Sequence, residues 1–256
     1  MNYTLITGAS KGIGKAFAYD CAARGMNLIL VARSQALLKT LAKELSGKQV
    51  SVQIITADLL KPNAHKEIFD WVKQNEWNVN MLINNAGAGF YGKFDEKPLD
   101  KHLEIMHLNM DSMICMAHEF LNRSDKTQKR FLLNTVSTGA FQPTPFMAVY
   151  CASKSFMLAF SQAIRFELRK QKVYVTALCP GGTESEFSKP AGMEKIFEKN
   201  AQFVMKADEV AKAGLDGLLK NKAVVIPGTI NKVGALAASL FPNKFVVPSA
   251  ARFFEV

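Results

Sequence analysis

Short apolar runs alternate with longer amphipathic stretches along this chain, and that rhythm constrains the fold more than any single motif. Residues 2–7, 27–32, 50–56, 79–83, 130–136 and 172–178 read as strands. Between them, a stretch ending near Arg24 and others at about 34–46, 63–75, 99–122 and 148–170 read as helices. Within 34–46, Leu37, Leu38, Leu41 and Leu45 recur along one face, as an amphipathic helix requires. Gly25 stands where a left-handed residue would end the first helix. Strands that are apolar almost throughout, and that alternate with helices, form a parallel sheet covered on both faces. The expected class is therefore α/β.

The chain has 256 residues and is 48% hydrophobic, enough for one large core or two small ones. The unbroken alternation favours one domain spanning 1–256. Cys21, Cys115, Cys151 and Cys179 are widely spaced, with no C-x-x-C pair and no clustered histidines. That pattern argues against a metal site or a disulfide framework, and it fits a reducing cytosol. Met1 is followed almost at once by an apolar strand, which leaves no room for a signal or transit peptide, and no apolar run is long enough to span a bilayer. A cytoplasmic location is expected. The net charge of +10 is dispersed rather than gathered into an aromatic-interleaved stripe, so nucleic acid is not an expected partner. A lysine-rich solvated surface explains it, with attraction for an anionic ligand or a membrane surface as the alternatives.

In a parallel α/β sheet, ligands bind outside the carboxyl ends of the strands. Gly8-Ala9-Ser10-Lys11-Gly12-Ile13-Gly14 falls at such an end, directly after the first strand and before a helix. Glycines there permit a tight turn and a close backbone approach, and the helix N-terminus offers unpaired N–H groups to a pyrophosphate. The spacing is G-x-x-x-G-x-G, not the commoner G-x-G-x-x-G. At the end of the second strand stand Ala32 and Arg33, with no carboxylate to bind a ribose 2′-hydroxyl. Arg33 and Lys11 are two cations that could converge on a 2′-phosphate, which favours NADP(H) over NAD(H). Asp58, Asn84 to Gly87, Ser137 and the stretch after Cys179 also fall at or just beyond strand ends.

Tyr150 and Lys154 lie one turn apart on a predicted helix. A charged lysine beside a phenol favours the phenolate, and such a pair can pass a proton to or from a carbonyl oxygen. Taken alone, this pair is common at helical spacing, Asn84 could simply close a turn, and Asn109 could be a satisfied helix asparagine.

Together these residues resemble the short-chain dehydrogenase/reductase family, in its carbonyl/ketoacyl reductase-like branch, as far as about residue 226. The matching features in order are Thr7-Gly8-x-x-x-Gly12-Ile13-Gly14, Asp58, Asn84-Asn85-Ala86-Gly87, Asn109, Ser137, Tyr150-x-x-x-Lys154 and Pro180-Gly181. The resemblance implies a Rossmann-type doubly wound parallel sheet of about seven strands with helices on both faces; beyond it, the residues themselves point to a C-terminal helical extension at 229–256. The resemblance also implies that Tyr150 is the general acid or base and that Lys154 binds the nicotinamide ribose and lowers the tyrosine pKa. Ser137 would bond the substrate oxygen, and Asn109 would hold a water linking Lys154 to solvent. Gly8, Ser10, Lys11, Gly12, Ile13 and Gly14 would surround the phosphates, Arg33 the 2′-phosphate, and Asp58 with Leu59 the adenine edge. Asn85, Ala86 and Gly87 would line the adenosine ribose side. Pro180, Gly181, Thr183 and Ser185 would face the nicotinamide, Ser185 standing where the family often has threonine. Gly182 replaces a bulkier residue, and Thr135-Val136 replaces the usual paired serines. Pro-S hydride transfer and a homodimer or homotetramer are further implications.

Residues 184–205 are expected to form a substrate lid with Phe187, Met193, Ile196, Phe197 and Phe203 on its apolar face. Phe90, Tyr91, Phe141, Pro143, Phe146 and Met147 are the other expected pocket walls, unless they serve the core or a subunit contact. Residues 230–241 and 243–254 read as two apolar-faced helices interrupted at Pro242. Oligomer or lid packing ranks above membrane contact for them. The expected activity is NADP(H)-dependent reduction of a hydrophobic carbonyl compound or oxidation of its alcohol. The rival is a non-catalytic NADP(H)-binding redox sensor. A nucleotide-sugar epimerase would need a larger substrate domain after residue 184.

Overall fold

A computed structural model describes residues 1–187 and 191–255. Seven parallel strands form one sheet: β1 (Asn2–Thr7), β2 (Asn27–Ala32), β3 (Val52–Thr56), β4 (Asn78–Asn84), β5 (Arg130–Thr135), β6 (Val173–Leu178) and β7 (Val224–Val225). Their spatial order is β3-β2-β1-β4-β5-β6-β7. The order reverses between β1 and β4, which opens a crevice beyond their carboxyl ends.

Alternate residues of each central strand enter different cores. Ile6, Leu28, Leu30, Leu133 and Leu178 pack with Phe17, Leu38 and Leu215, whereas Leu5, Ile29, Val31, Leu132 and Val175 pack with Phe69, Met116 and Phe120. Both faces of the sheet are thus dry, which is why the strands are apolar at nearly every position. The first core is completed by α1 (Gly12–Ala23), α2 (Gln35–Leu45) and α8 (Ala207–Leu219). On the opposite face lie α3 (Ala64–Gln74), α5 (Ser112–Arg123) and α6 (Ala148–Glu167).

The local signals act as expected. Gly25 has φ 74°, and Gly25 N donates to Ala22 O while Met26 N donates to Cys21 O, both at 3.0 Å, closing α1. Ser34 caps α2 by accepting from Leu37 N at 3.4 Å.

The stretch expected as one helix over 99–122 is instead α4 (Leu99–Met106), a widened π turn at His107–Asp111, and then α5. The remaining helices are α7 (Glu194–Lys199), α9 (Thr229–Leu240) and α10 (Asn243–Phe254). Residues 188–190 of the expected lid lie outside the described residues. Among the described residues the four cysteines are free, no acidic, cysteine or histidine cluster could hold a metal, and no helix is long and apolar enough to cross a membrane.

Candidate active site

The carboxyl ends of β1 and β4 are joined side by side through one threonine. Thr7 Oγ1 accepts from Asn85 N at 3.0 Å and from Ala86 N at 3.1 Å. In return Asn85 Nδ2 donates to Thr7 O at 3.1 Å and Gly8 O at 3.3 Å. This lattice fixes the loop over 8–12 against β4. A Cβ at Gly14 would collide with the Gly8 carbonyl and with Asn85 Nδ2, so only glycine lets α1 start this close to the loop. Gly12, at φ 50°, holds a left-handed conformation where a Cβ would lie 2.9 Å from Ser185 Cβ.

Lys11 occupies the N-cap position of α1 without a side-chain cap. The first N–H groups of that helix therefore remain available to an anion. With Gly8, Gly12, Ile13 and Arg33, Lys11 lines a cavity of about 1090 Å³ that runs along the carboxyl edge of the sheet. An open helix N-terminus, a loop that excludes Cβ atoms and a cationic rim fit a dinucleotide phosphate. Arg33 is exposed and forms no ion pair among the described residues. Lys11 is ion-paired with Glu186, a partner that sequence reasoning missed.

Further along the cavity lie Asn85, Ala86, Gly87, Ser137, Tyr150, Lys154, Pro180, Gly181, Thr183 and Ser185. Ser10, Gly14, Asp58, Leu59 and Asn109 do not line it. Gly14 acts from behind as a spacer. Asp58 Oδ1 accepts from Leu60 N at 3.1 Å and so shapes its own turn. Asn109 is fully buried: its Nδ2 donates to Ala88 O at 3.0 Å and Ser153 Oγ at 2.9 Å, while its Oδ1 accepts from Ala88 N at 2.9 Å. Both side-chain protons are engaged, so a water held by that side chain could only donate to Oδ1. Ser153 Oγ in turn donates to Tyr150 O at 2.7 Å, so a chain of bonds runs from the π turn to the tyrosine's own backbone. Sequence reasoning passed over Ser153 although it immediately precedes Lys154.

Tyr150 and Lys154 share a face of α6, with Nζ 5.6 Å from the ring centroid. Lys154 is buried, and its Nζ donates to Thr135 O at 2.9 Å. Burial brings its pKa down from 10.5 to about 8. The Tyr150 phenol moves the other way: burial raises its pKa, and the hydrogen bond to Ser137 only partly opposes this. Burial therefore opposes the lowering expected of Lys154, and it dominates at the phenol. Ser137 Oγ accepts from Gly139 N at 3.1 Å, which fixes the oxygen beside Tyr150. Ahead of α6, Phe146 adopts a left-handed backbone at φ 65°, a strained state for a bulky residue, held by Gly92 N donating to Phe146 O at 2.9 Å.

Of the expected apolar walls, Phe90, Met147, Phe187, Met193, Phe197 and Phe203 line the cavity. Tyr91, Phe141, Pro143 and Phe146 do not, and Ile196 is buried in the cluster beneath α7. The extension supplies walls that the motifs did not announce. Asn231 of α9 packs so tightly on Gly181 that a Cβ there would clash with its amide. Phe254 of α10 packs in the cluster that includes Tyr150, and its carbonyl accepts from Tyr91 Oη at 2.6 Å. A polar Asn231 in an otherwise apolar-faced helix was the one available signal.

Comparison with known proteins agrees with this geometry. The profile of the short chain dehydrogenases matches residues 2–195. Human 17-beta-hydroxysteroid dehydrogenase type 3 is 31% identical over 208 residues, covering 79% of this chain and 66% of that protein. The very-long-chain 3-oxoacyl-CoA reductase of Vanderwaltozyma polyspora is 32% identical over 200 residues, covering 73% of this chain and 57% of the relative. The chain thus spans roughly two thirds or less of the length of these two relatives. A short-chain dehydrogenase from Sphingobium yanoikuyae, solved in complex with NADPH, superposes with a TM-score of 0.83 at 30% identity, covering 93% of each chain. With a seven-stranded parallel sheet, the glycine loop at its switch point and the family profile over most of its length, this chain belongs to the short-chain dehydrogenase/reductase family of oxidoreductases.

Proposed function

We propose that this oxidoreductase uses NADP(H) to reduce the carbonyl of a hydrophobic small molecule, or to oxidise the corresponding secondary alcohol. The observation that carries this reading is the Tyr150 hydroxyl, bonded to Ser137 on the cavity wall with buried Lys154 one turn away. The bound cofactor would supply the hydride. Tyr150 would give its proton to the carbonyl oxygen, and its raised pKa keeps that proton in place at neutral pH. Ser137 would stabilise the negative charge developing on the same oxygen. Lys154 would hold the nicotinamide ribose, and Asn109 would keep a water through which the proton is replaced.

The preference for NADP(H) rests on Arg33 at the cavity rim, on the missing carboxylate after β2, and on Lys11, which a 2′-phosphate would share with Glu186. The NADPH complex of the Sphingobium yanoikuyae relative supports it. The substrate class follows from the phenylalanine and methionine lining and from the relatives, whose names give a hydroxysteroid and a very-long-chain 3-oxoacyl thioester.

A screen of ketosteroids, 3-oxoacyl thioesters and aromatic ketones, followed at the NADPH absorbance, tests the proposal. At least one class should turn over, and Tyr150→Phe should cut the rate by about a thousandfold while NADPH still binds. Tight NADPH binding with no turnover of any class would select the redox-sensor reading instead.

A further inference from the structure

The first helix of the extension, α9, turns its small residues inward and most of its large ones outward. On α9, Asn231, Gly234 and Ala235 line the cavity. Ile230, Val233, Leu236 and Leu240 of the same helix are each more than 60% exposed. At about 100° per residue these four fall within roughly 120° of arc, on the side away from Ala235. Phe241 at the joint and Phe245 on α10 continue the exposed apolar surface. A helix that meets only water places its large apolar residues on the core side, so this reversal calls for a second apolar phase.

Charge decides what that phase is. Residues 229–254 contain Lys232, Lys244 and Arg252 and no aspartate or glutamate, and all three cations are exposed. Two copies of this surface placed face to face would bring six cations together with no carboxylate on α9 or α10 to pair them; Glu255, the side-chain carboxylate of the extension, lies just past α10. The exposed apolar residues of α4 show the contrast: Leu99, Leu103 and Met106 are interleaved with Asp100, Lys101 and Glu104, a mixed-sign pattern that a protein partner can match. Large apolar side chains flanked by cations alone match an anionic lipid surface, with the apolar residues in the acyl boundary and the cations among the headgroups.

We propose that α9 and α10 form an interfacial platform that seats the protein on an anionic membrane surface, lying on the bilayer without crossing it. Ile230 and Phe253 are both exposed and both line the cavity, so the cavity mouth opens on the seated face. A lipid-soluble compound would pass from bilayer to cavity without crossing water. The platform itself does not depend on the reaction proposed above.

Co-sedimentation of the purified protein with vesicles of phosphatidylcholine alone, and of phosphatidylcholine with phosphatidylglycerol, reads this without any turnover. The protein should pellet with the anionic vesicles at least tenfold better than with the neutral ones, and less so as salt is raised. Lys232→Gln and Lys244→Gln should each weaken anionic binding by about fivefold. The double variant Leu236→Glu with Leu240→Glu, at positions outside the cavity, should abolish pelleting while retaining NADPH binding as a check on folding. Failure of the wild type to pellet, or pelleting unchanged in the double variant, overturns the proposal. So does a lipid-free dimer that the double variant splits into monomers, because the face would then belong to a second copy.

Discussion

On the nucleotide side of the cavity, backbone and side-chain bonds leave the chain almost no latitude. Four bonds join Thr7 and Gly8 to Asn85 and Ala86 across β1 and β4, and Gly14 has no room for a single extra carbon. The substrate side is held differently. α10 is tied by Tyr91 Oη to Phe254 O and by Lys199 Nζ to Glu255 O at 2.8 Å, and otherwise by rings such as Phe203, Phe253 and Phe254 in loose contact. Directional bonds specify one geometry, whereas apolar packing accepts any shape of about the right volume. A cofactor common to many reactions demands the first kind of wall, and a substrate peculiar to one enzyme can be accommodated by the second.

The sharpest way to break that contrast lies between the two walls, at Lys154. Lys154→Met should lower turnover by a factor of about 10² to 10⁴ yet stabilise the fold. The folded-state pKa, about 8, is depressed below the ordinary 10.5, so the folded protein holds the lysine proton less tightly than the unfolded chain does. The full penalty acts below about pH 8 and disappears as pH rises from there to 10.5. The shift corresponds to about 3 kcal/mol, offset by about 1 kcal/mol for the lost bond to Thr135. Melting curves across that range should show the variant above the wild type at pH 7 and converging with it at alkaline pH. A variant that melts lower at pH 7 would refute the assignment.

The next test pairs two glycines. Gly14→Ala should cost about 2 kcal/mol or more and weaken NADPH binding, because the new methyl meets backbone on the rigid side. Gly234→Ala has nothing within 4 Å of its added carbon and should gain about 0.5–1 kcal/mol of helix stability. Urea midpoints read both, and equal effects would erase the distinction between the walls. At Arg33, exchange for Asp should swing the NADPH-to-NADH preference by about tenfold or more in kcat/KM, the size of a charge-assisted bond. An unchanged ratio would remove the cations from the specificity argument. The smallest effect is expected at Tyr91→Phe, which deletes one bond to the extension: KM for substrate should rise about fivefold with NADPH affinity unaltered.

Much of this is legible in the sequence. Six of the seven strands and most of the covering helices show in the apolar rhythm, whereas the two-residue β7 does not, and the glycine loop, Ser137, Tyr150 and Lys154 stand out by order and spacing. The π turn around Asn109 did not, because one extra residue in a turn leaves the helical periodicity of 99–122 almost unchanged. Nor did α8, which carries Gly214 and Gly217 in its interior. In the fold they bring the helix close to Leu178, Phe17 and Val225. Contacts such as Thr7 with Asn85, Lys11 with Glu186 and Gly181 with Asn231 join residues far apart in the chain, and no local pattern encodes them.

The stretch that follows β6 is stitched shut at its base. Thr183 and Met205 form a parallel bridge, Glu184 N donates to Met205 O at 2.8 Å, and Met205 N donates to Gly182 O at 2.9 Å. The ends of the intervening segment, which carries α7, therefore already meet, so changing its length alters closure entropy by only about 0.6 kcal/mol per doubling. Evolution, or an engineer, could exchange this segment for one of another size and composition while α8, β7 and the sheet stayed in register. The seam at 183 and 205 marks where a new cavity wall can be grafted, provided Ser185 against Gly12 and Glu186 against Lys11 are kept.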